Sequence, residues 1–577
     1  MLGRRPGVKT ILSYLRPHAP RVAAGVTVKF TAAVLELLLP LLLAHIIDDC
    51  VPSRDLTAVW RSGVLMLVMA FGAAFCNITA NRMAAWVSMD VTRQLRRDLY
   101  ARTLLLSQAQ LDRFSISSIV SRLTNDTYNV HQMFDKIQRG GIRAPMLVLG
   151  GLVLTFFQAP PLALVQLAVC SATFCAIWLV TRRGIPRYTH AQEAVDTVVR
   201  ILRENASGVR VVKALACQGR ERERFISASR AARDAEQAAG TTMAAANPLS
   251  DFLLNLGLVL VVLAGAVLVD QGRMASGQIV AFLSYFTLIQ TATLGLAKLF
   301  VKFSKGVASA RRIEEVLLAP EDQQVRQFGK AEQPGPELGM DDVSFSYLGV
   351  EKDLNSASFS INKGETLGIL GPTGAGKTTL VSLLLRLYDA DEGIVWVGGR
   401  DVSTLSREAL RGRFGVVFQN EALLNDSVYE NISFLRNLPR EDAAAAAKTA
   451  QAWEFIERLP GGLDARLDIR GANLSGGQRQ RLLIARALAA RPGILILDSA
   501  DSALDYRTAA AFHAALRRDF PGVTLVVISE RVASLRDADR ILVLEEGRLA
   551  AQGTHGELLK TCERYRRMAE LQMGGLE

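Results

Sequence analysis

The sequence predicts an α-helical membrane domain, with six transmembrane helices and long cytoplasmic extensions, followed by an α/β P-loop domain. Three observations lead to this fold class. Long apolar stretches fill about the first 300 of the 577 residues. The remaining residues mix charge, glycine and short apolar runs, as soluble α/β domains do. In this second half, a glycine-rich loop lies between a predicted strand and a predicted helix.

Six apolar stretches are each long enough to cross a bilayer, which requires about twenty residues. Long charged segments join the second stretch to the third and the fourth to the fifth, whereas the other connections are short. Basic residues concentrate beside one set of helix ends, so the positive-inside rule places the N-terminus and the C-terminal domain in the cytoplasm. We therefore expect a multi-pass protein of the cell membrane, with spans near Val22–Ile47, Val59–Trp86, Ile137–Phe157, Leu162–Val180, Phe252–Val269 and Ile279–Val301.

The net charge of +11 is compatible with nucleic-acid binding, but basic residues beside membrane helices explain it more simply. No nucleic-acid partner is therefore expected. The six cysteines lack the spacing of metal or redox sites and are expected to be free thiols. Residues 1–20 lack the pattern of a signal peptide, so we expect a basic N-terminal arm that stays in the cytoplasm.

Each long connection is predicted to form two helices that continue the membrane spans, with a short transverse helix at the tip. Phe114–Asp126 and Val209–Gln218 have the pattern of such tips, and an ordinary loop is the alternative. Within the spans, Glu36 is the best candidate for contact with a substrate in a cavity, because charge at membrane depth is costly. The alternative is an internal pair with Lys29, two helical turns away on nearly the same face.

The glycine-rich loop fits the spacing G-x-x-x-x-G-K-[ST] and predicts a phosphate-binding site. The glycines allow backbone N–H groups to surround phosphates, and the following helix adds the positive end of its dipole. Lys377 is expected to reach the β- and γ-phosphates, and Thr378 to bind Mg²⁺. The loop consists of Gly371, Pro372, Thr373, Gly374, Ala375, Gly376, Lys377 and Thr378.

Further motifs follow along the chain. Asp498 ends the apolar run Ile494–Leu497, as a Mg²⁺-binding carboxylate at the end of a buried strand would. Gln419 follows another short apolar run and is either a link to the metal site or a surface amide. A second anion site is predicted at the start of a strongly helical segment, where a serine and two glycines stand in the run Leu474, Ser475, Gly476, Gly477 and Gln478.

Taken together, these motifs resemble those of exporter-type half-transporters of the ATP-binding cassette (ABC) family, in which six spans precede one nucleotide-binding domain. The resemblance implies a transmembrane domain over 1–318, a linker over 319–337 and the cassette over 338–577. It implies ATP and Mg²⁺ as cofactors, the metal being held by Thr378, Gln419 and Asp498. The roles implied are adenine stacking for Tyr347, the Walker A loop for Gly371–Thr379 (which adds Thr379), the Q-loop for Gln419, the signature for Leu474–Gln478, Walker B for Asp498 and the D-loop for Asp505.

Two positions depart from the family pattern. The general-base glutamate expected after the Walker B aspartate is Ser499, and the expected switch histidine is Glu530. A serine does not accept a proton near neutral pH, and a glutamate would place negative charge near the γ-phosphate. In this family two cassettes pair head to tail, and a chain that combines these two departures with intact binding motifs resembles the subunit of a heterodimer that contributes the degenerate ATP site. The Walker site of this chain would bind ATP with impaired hydrolysis, and its signature would complete the catalytic site of a second half-transporter that retains the glutamate and the histidine.

The complex would be an ABC-type ATPase and translocase that exports a small amphipathic or hydrophobic substrate. Small molecules, lipids and peptides all suit a mostly apolar cavity with a few polar groups. Two alternatives remain open. One is a homodimeric ATP-binding regulator or scaffold with little hydrolysis, and the other is an importer built on the exporter fold.

Overall fold

The computed structural model of the chain describes residues 9–320, 325, 335–419, 421–500 and 504–573. Most of the predicted linker 319–337 and part of the predicted N-terminal arm lie outside these residues. The chain divides into two compact units. The first contains Met1–Leu104 and Ile116–Ala319, and the second contains Leu105–Ser115 and Pro320–Glu577.

The first unit is helical, and its described part contains six helical stretches long and apolar enough to cross a membrane, as predicted. Short π-helical turns at Ile46–Cys50 and Arg122–Asp126 join neighbouring helices. The third of these stretches, Ile116–Gln158, includes the predicted span Ile137–Phe157, and its α-helix is interrupted at Gly141 and Ile142. The helices of the first unit are α1 Lys9–Ser13, α2 Ala19–His45, α3 Leu56–Leu104, α5 Ile116–Ser121, α6 Thr127–Gly140, α7 Arg143–Gln158, α8 Pro160–Ser207, α9 Val209–Ala214, α10 Gln218–Ala244, α11 Ala246–Asp270 and α12 Ser276–Leu317. The short helix α4, Gln108–Phe114, belongs to the second unit.

The first of the two predicted arm tips was placed one helix too far along the chain. The short helix at this tip is α4, which precedes the predicted segment Phe114–Asp126. Ser107 begins α4 with a capping box, and Ser115, with φ of 59°, follows its last residue. The polar residues around Ile116 instead begin the next helix, α5. The second predicted tip, Val209–Gln218, contains the short helix α9 between the long helices α8 and α10.

Close helix packing in the membrane unit depends on small residues. A Cβ atom on Gly257 would lie 2.1 Å from the Phe286 ring, so only glycine allows α11 to approach α12 at this point. Tyr285 is fully buried, and its hydroxyl donates a hydrogen bond to the Leu37 carbonyl oxygen over 2.6 Å. This bond ties α12 to α2 where hydrocarbon offers no water to satisfy a hydroxyl.

The second unit contains two sheets. The larger has the order β10-β9-β3-β8-β7-β6 and is parallel except for β10, while the smaller antiparallel sheet has the order β2-β1-β4-β5. This arrangement confirms the predicted α/β fold class. The strands are β1 Leu338–Phe345, β2 Leu354–Ile361, β3 Thr366–Leu370, β4 Glu392–Val397, β5 Arg400–Asp401, β6 Phe414–Val417, β7 Ile494–Asp498, β8 Thr524–Ser529, β9 Arg540–Glu545 and β10 Arg548–Gly553.

The larger sheet separates two hydrophobic cores. Along β7, Ile494 and Ile496 face the core that contains the helix Lys377–Leu384 and the antiparallel sheet, whereas Leu495 and Leu497 face the core that contains the helix Gly476–Leu488. This alternation follows from the two-residue period of a strand buried on both faces. The helices of this unit after α4 are α13 Lys377–Leu384, α14 Arg407–Arg411, α15 Val428–Ser433, α16 Arg440–Thr449, α17 Trp453–Arg458, α18 Gly476–Leu488, α19 Tyr506–Asp519, α20 His555–Thr561 and α21 Glu563–Met573.

Candidate nucleotide-binding site

The phosphate-binding loop joins β3 to α13, as its sequence context predicts. Gly374 and Gly376 have φ of 84° and 96°, in the left-handed region that glycine adopts without strain. A Cβ atom on Gly371 would lie 2.5 Å from the Leu544 carbonyl oxygen, so the loop also needs glycine where it leaves the sheet. Lys377 Nζ donates hydrogen bonds to the carbonyl oxygens of Gly371 (2.7 Å) and Pro372 (2.8 Å), which holds the ammonium group over the loop.

Glu530, which stands at the expected position of the switch histidine, contacts this loop directly. Its carboxylate oxygen Oε1 accepts a hydrogen bond from Thr373 Oγ1 over 3.0 Å and lies 3.5 Å from Lys377 Nζ. Glu530 follows β8, which is the neighbour of β3 in the sheet. A negative charge therefore lies against the lysine that is expected to bind phosphate.

Asp498 ends β7 and is 3% exposed. Burial raises the pKa of its carboxyl group, while the hydrogen bond from Ser499 and the charge of Lys377 act in the opposite direction. Ser499 Oγ lies 3.4 Å from Asp498 Oδ1, and the Ser499 backbone is left-handed with φ of 56°. Ser499 thus places a hydroxyl group beside the aspartate, where a glutamate at this position would place a carboxylate.

The carboxyl ends of parallel strands meet at one edge of a sheet. Because β6, β7, β8 and β3 are parallel neighbours, Gln419, Asp498, Glu530 and the phosphate-binding loop all follow strands at the same edge. Gln419 is exposed, two residues after β6. The amide of Gln419, the carboxylate of Asp498 and the hydroxyl of Thr378 offer oxygen ligands, which is the donor set that suits Mg²⁺.

Tyr347 belongs to an aromatic cluster, of which the sequence analysis identified Tyr347 alone. Its ring packs edge-on against Phe345 (4.9 Å between centroids) and Tyr388 (5.0 Å), and 42% of the residue is exposed. The Tyr388 hydroxyl in turn donates a hydrogen bond to the Asp112 carboxylate, which lies on α4 in the same compact unit. No sequence signal links Tyr388 to Asp112, because 276 positions separate them.

The signature segment forms the N-terminus of α18. Ser475 Oγ accepts a hydrogen bond from the Gln478 backbone N–H (3.3 Å), and Gln478 Oε1 accepts one from the Ser475 N–H (2.9 Å). This capping box leaves Gly476 beside open space, since a Cβ atom at this position would meet no neighbouring atom within 4 Å. Leu474 is buried and anchors the segment in the core on the α18 side of the sheet.

Two further contacts surround the site. Arg486, on α18 and nearly buried, donates hydrogen bonds to Glu421 Oε1 (2.9 Å) and to the Asn431 carbonyl oxygen (2.8 Å), so the signature helix supports the chain that follows Gln419. Sequence reasoning missed this network. Asp505 caps α19 by accepting a hydrogen bond from the Thr508 N–H (2.9 Å), whereas the D-loop residues 501–503 lie outside the described residues.

In the membrane unit, the alternative of an internal pair between Glu36 and Lys29 is wrong as to the partner. Glu36 instead forms an ion pair with Arg143, whose Nη2 lies 2.7 Å from Glu36 Oε2. Lys29 Nζ donates hydrogen bonds to the side-chain oxygens of Asn77 and Asn81. The rotation of α2 against α3 and α7 determines these partners, and spacing along α2 alone does not show it.

Comparisons with known proteins place these features in context. The family model "ABC transporter transmembrane region" matches residues 22–293, and the model "ABC transporter" matches residues 354–502. The chain is 34% identical to the uncharacterized ABC transporter ATP-binding protein YfiB of Bacillus subtilis (strain 168), with 98% of each chain covered. It is 30% identical to the ATP-dependent lipid A-core flippase of Albidiferax ferrireducens, with 99% of each covered.

A solved structure agrees with this result. A bacterial Atm1-family ABC exporter with ATP bound superposes with a TM-score of 0.84 at 26% sequence identity, covering 98% of this chain and 99% of that chain. The similarity therefore extends over both units and is not limited to the phosphate-binding motifs.

Proposed function

The chain belongs to the ABC transporter family, as an exporter-type half-transporter with six membrane helices and one nucleotide-binding domain, and on this premise we propose that it works in a heterodimeric exporter. In this proposal its own Walker site binds ATP with Mg²⁺ and hydrolyses it slowly. Its signature, Leu474–Gln478, completes the catalytic site of a second half-transporter that retains the Walker B glutamate and the switch histidine.

The observation that carries this proposal is the position of Glu530 on the phosphate-binding loop. Its carboxylate contacts both Lys377 and Thr373, so it competes with a γ-phosphate for the same cation and repels the phosphate charge. A histidine at this position would donate a hydrogen bond to that phosphate instead. Hydrolysis at this loop is expected to be slow for this reason alone.

Ser499 supports the same conclusion. The attacking water of a nucleotide hydrolase needs a group that accepts its proton, and a serine hydroxyl does not ionise near neutral pH. Ser499 Oγ also lies beside Asp498, the carboxylate proposed to hold Mg²⁺. The metal, when bound, would neutralise phosphate charge, and Asp498, Thr378 and Gln419 would hold it. In this proposal the site therefore keeps the groups that bind ATP and Mg²⁺ but lacks a group that accepts the proton of the attacking water.

The position of the signature supports pairing between two chains. Ser475 and α18 belong to one face of the larger sheet, while α13 and the phosphate-binding loop belong to the other. The signature retains its cap and its open glycine, as a segment that receives a phosphate from a facing cassette should. In a homodimer this signature would face only the impaired loop. A heterodimer places it instead against the intact Walker loop of the partner, where it can contribute to hydrolysis.

The direction and substrate class rest on the relatives. The flippases of Albidiferax ferrireducens and Vibrio vulnificus, named for lipid A-core, match over nearly their whole length at 30% and 29% identity. We therefore propose that this exporter moves an amphipathic, lipid-like substrate that enters from the cytoplasmic leaflet. In this proposal the chain contributes one membrane domain and one nucleotide-binding domain to the exporter.

Turnover of the co-expressed pair tests the proposal. The chain is purified with the half-transporter encoded beside it, and ATP hydrolysis is measured for Ser499→Ala and for removal of the partner's Walker B glutamate. We expect Ser499→Ala to leave turnover nearly unchanged and the partner substitution to abolish it. Equal loss in both variants, or a homodimer that turns over without any partner, would contradict the asymmetric model.

A further inference from the structure

A strongly basic cavity lies within the membrane unit, between α2, α3, α6, α7 and α12. Its volume is about 460 Å³, within the range of small-molecule sites but too small for a whole lipid. The cationic side chains that line it come from four different helices, α2, α6, α7 and α12. They are Lys29, Lys136, Arg139, Arg143 and Lys302.

Lys29 is the most deeply placed of these cations and is only 2% exposed. Its Nζ donates hydrogen bonds to Asn77 Oδ1 and, over 2.9 Å, to Asn81 Oδ1. Both acceptors are neutral amides, so they satisfy the donors of the ammonium group without balancing its charge. A buried charge that is hydrogen-bonded but not neutralised is a favourable partner for an incoming anion.

The carboxylates around the cavity do not balance its cations. Glu36 pairs with Arg143 over 2.7 Å, and Asp135 pairs with Arg139 over 2.6 Å and lies 3.7 Å from Lys136. Among the described residues, these two carboxylates are the ion-pair partners of the five lining cations. The excess of positive charge includes Lys29, whose partners are the two amides.

The cavity lies toward the cytoplasmic ends of the spans that line it. Asn77 stands 21 residues after the outer start of α3 at Leu56, about 32 Å along the helix at 1.5 Å per residue. Lys29 precedes the end of the first membrane stretch at Cys50 by the same number of residues. With a hydrocarbon core about 30 Å thick and the outer helix ends taken as its outer limit, this count places both side chains in the cytoplasmic part of the spans, on the side where acidic lipid headgroups are found.

We propose that this cavity binds the phosphate headgroup of an amphipathic substrate, with Lys29 as the central contact and Arg139 and Arg143 as further donors. Guanidinium groups suit the multiple oxygens of a phosphate, and the apolar chain of the substrate would remain against the surrounding helices. This inference rests on the proposed export function and deepens it by assigning the chemistry of the substrate. Arg143 already pairs with Glu36, so Glu36 acts as a positioning residue for this arginine and not as a substrate contact.

Binding to the purified complex in nanodiscs tests this inference. The probes are dodecyl phosphate, the neutral dodecyl glucoside with the same chain, and inorganic phosphate. Lys29→Gln removes the buried charge, and Asn81→Asp supplies a carboxylate beside Lys29 with almost no change in shape. The matched control is Arg311→Gln, which removes an exposed cation of α12 outside the cavity.

We expect each cavity variant to weaken binding of dodecyl phosphate about tenfold or more, the loss expected for one charge-assisted contact, and to leave dodecyl glucoside binding unchanged. Arg311→Gln should bind both amphiphiles as the parent complex does. Equal weakening of the two amphiphiles, or unchanged binding of dodecyl phosphate in both variants, would overturn the inference. Inorganic phosphate that bound as tightly as dodecyl phosphate would overturn the assignment to an amphiphile.

Basal ATP hydrolysis of the same preparations separates this inference from the proposed function. Turnover without added amphiphile depends on the nucleotide sites and not on Lys29. If the pair hydrolyses ATP asymmetrically but shows no preference for phosphate, the cavity assignment fails and the heterodimer model stands. If binding shows the expected preference but turnover is symmetric, the heterodimer model fails and the cavity assignment stands.

Discussion

Glu530 changes the chemistry of the phosphate-binding loop through a single side chain. Its carboxylate is 59% exposed, so solvent screens much of its charge, yet it lies within 3.5 Å of the lysine that a γ-phosphate would engage. A β-phosphate lies deeper in such a loop and would be repelled less. The site should therefore discriminate against ATP relative to ADP more than a site with histidine would.

Removing this charge should raise the affinity of the site for ATP. For Glu530→Gln we expect ATP to bind about fivefold more tightly, since repulsion between partly exposed charges is worth roughly 1 kcal/mol, while ADP affinity changes less. Equilibrium binding of both nucleotides, in the presence of a partner whose own Walker site is disabled, measures the effect. Glu570→Gln, an exposed carboxylate of α21, is the control, and an equal change for both nucleotides would count against the explanation.

At the scale of structural elements, the short helix α4 is connected to the nucleotide site through side-chain contacts. Asp112 on this helix accepts a hydrogen bond from Tyr388, and the Tyr388 ring packs against Tyr347, which is proposed to stack on adenine. Burial and the neighbouring Asp112 raise the pKa of Tyr388, which keeps its hydroxyl protonated as a donor. Adenine binding and the position of α4 are thus joined by a chain of two contacts.

A double-mutant cycle on Tyr388 and Asp112 tests this connection. Tyr388→Phe removes the donor and Asp112→Ala removes the acceptor, and both leave the packing of the ring at position 388 against Tyr347 in place, so we expect ATP affinity to stay nearly constant. Substrate-stimulated ATP turnover should fall severalfold in each single variant and no further in the double variant, because both remove the same bond. Tyr100→Phe, an exposed tyrosine of α3, provides the control. Losses that simply multiply would show that the two residues act independently.

Across the whole molecule, the larger sheet keeps the two phosphate-binding surfaces of this chain apart. The Walker loop leads into α13 on one face of the sheet, and the signature begins α18 on the other face. Two substitutions on one chain should consequently affect different nucleotide sites of the complex. The proposed division of labour can be tested without altering the partner.

Gly476→Asp should abolish turnover of the complex while the chain stays folded. The position opens to empty space, and an acidic residue at the first turn of a helix is favourable, so the cost to stability is small. The carboxylate would nevertheless repel the γ-phosphate held by the partner's Walker loop. Hydrolysis and thermal unfolding are measured together, with Gly476→Ala as the uncharged control. Full turnover in Gly476→Asp would contradict the assignment of this signature to the catalytic site.

Local patterns in the sequence were sufficient for the fold class and for the motifs of the cassette. The six spans follow from hydrophobic length alone, and the phosphate-binding loop follows from glycines whose left-handed backbone few other residues adopt. Ser499 and Glu530 were recognisable as departures from the pattern of the family that these motifs resemble, since each lies at a defined distance from a strand end. Such features depend on neighbours along the chain.

Tertiary structure alone decided which distant side chains meet. It paired Glu36 with Arg143 and Lys29 with two asparagines, and it joined Tyr388 to Asp112 across 276 positions. It also moved the first arm tip to α4. The physical reason is that these contacts depend on the rotation and packing of whole helices and strands, which many residues determine together. Local spacing predicts which face of an element is polar, but not which partner that face will meet.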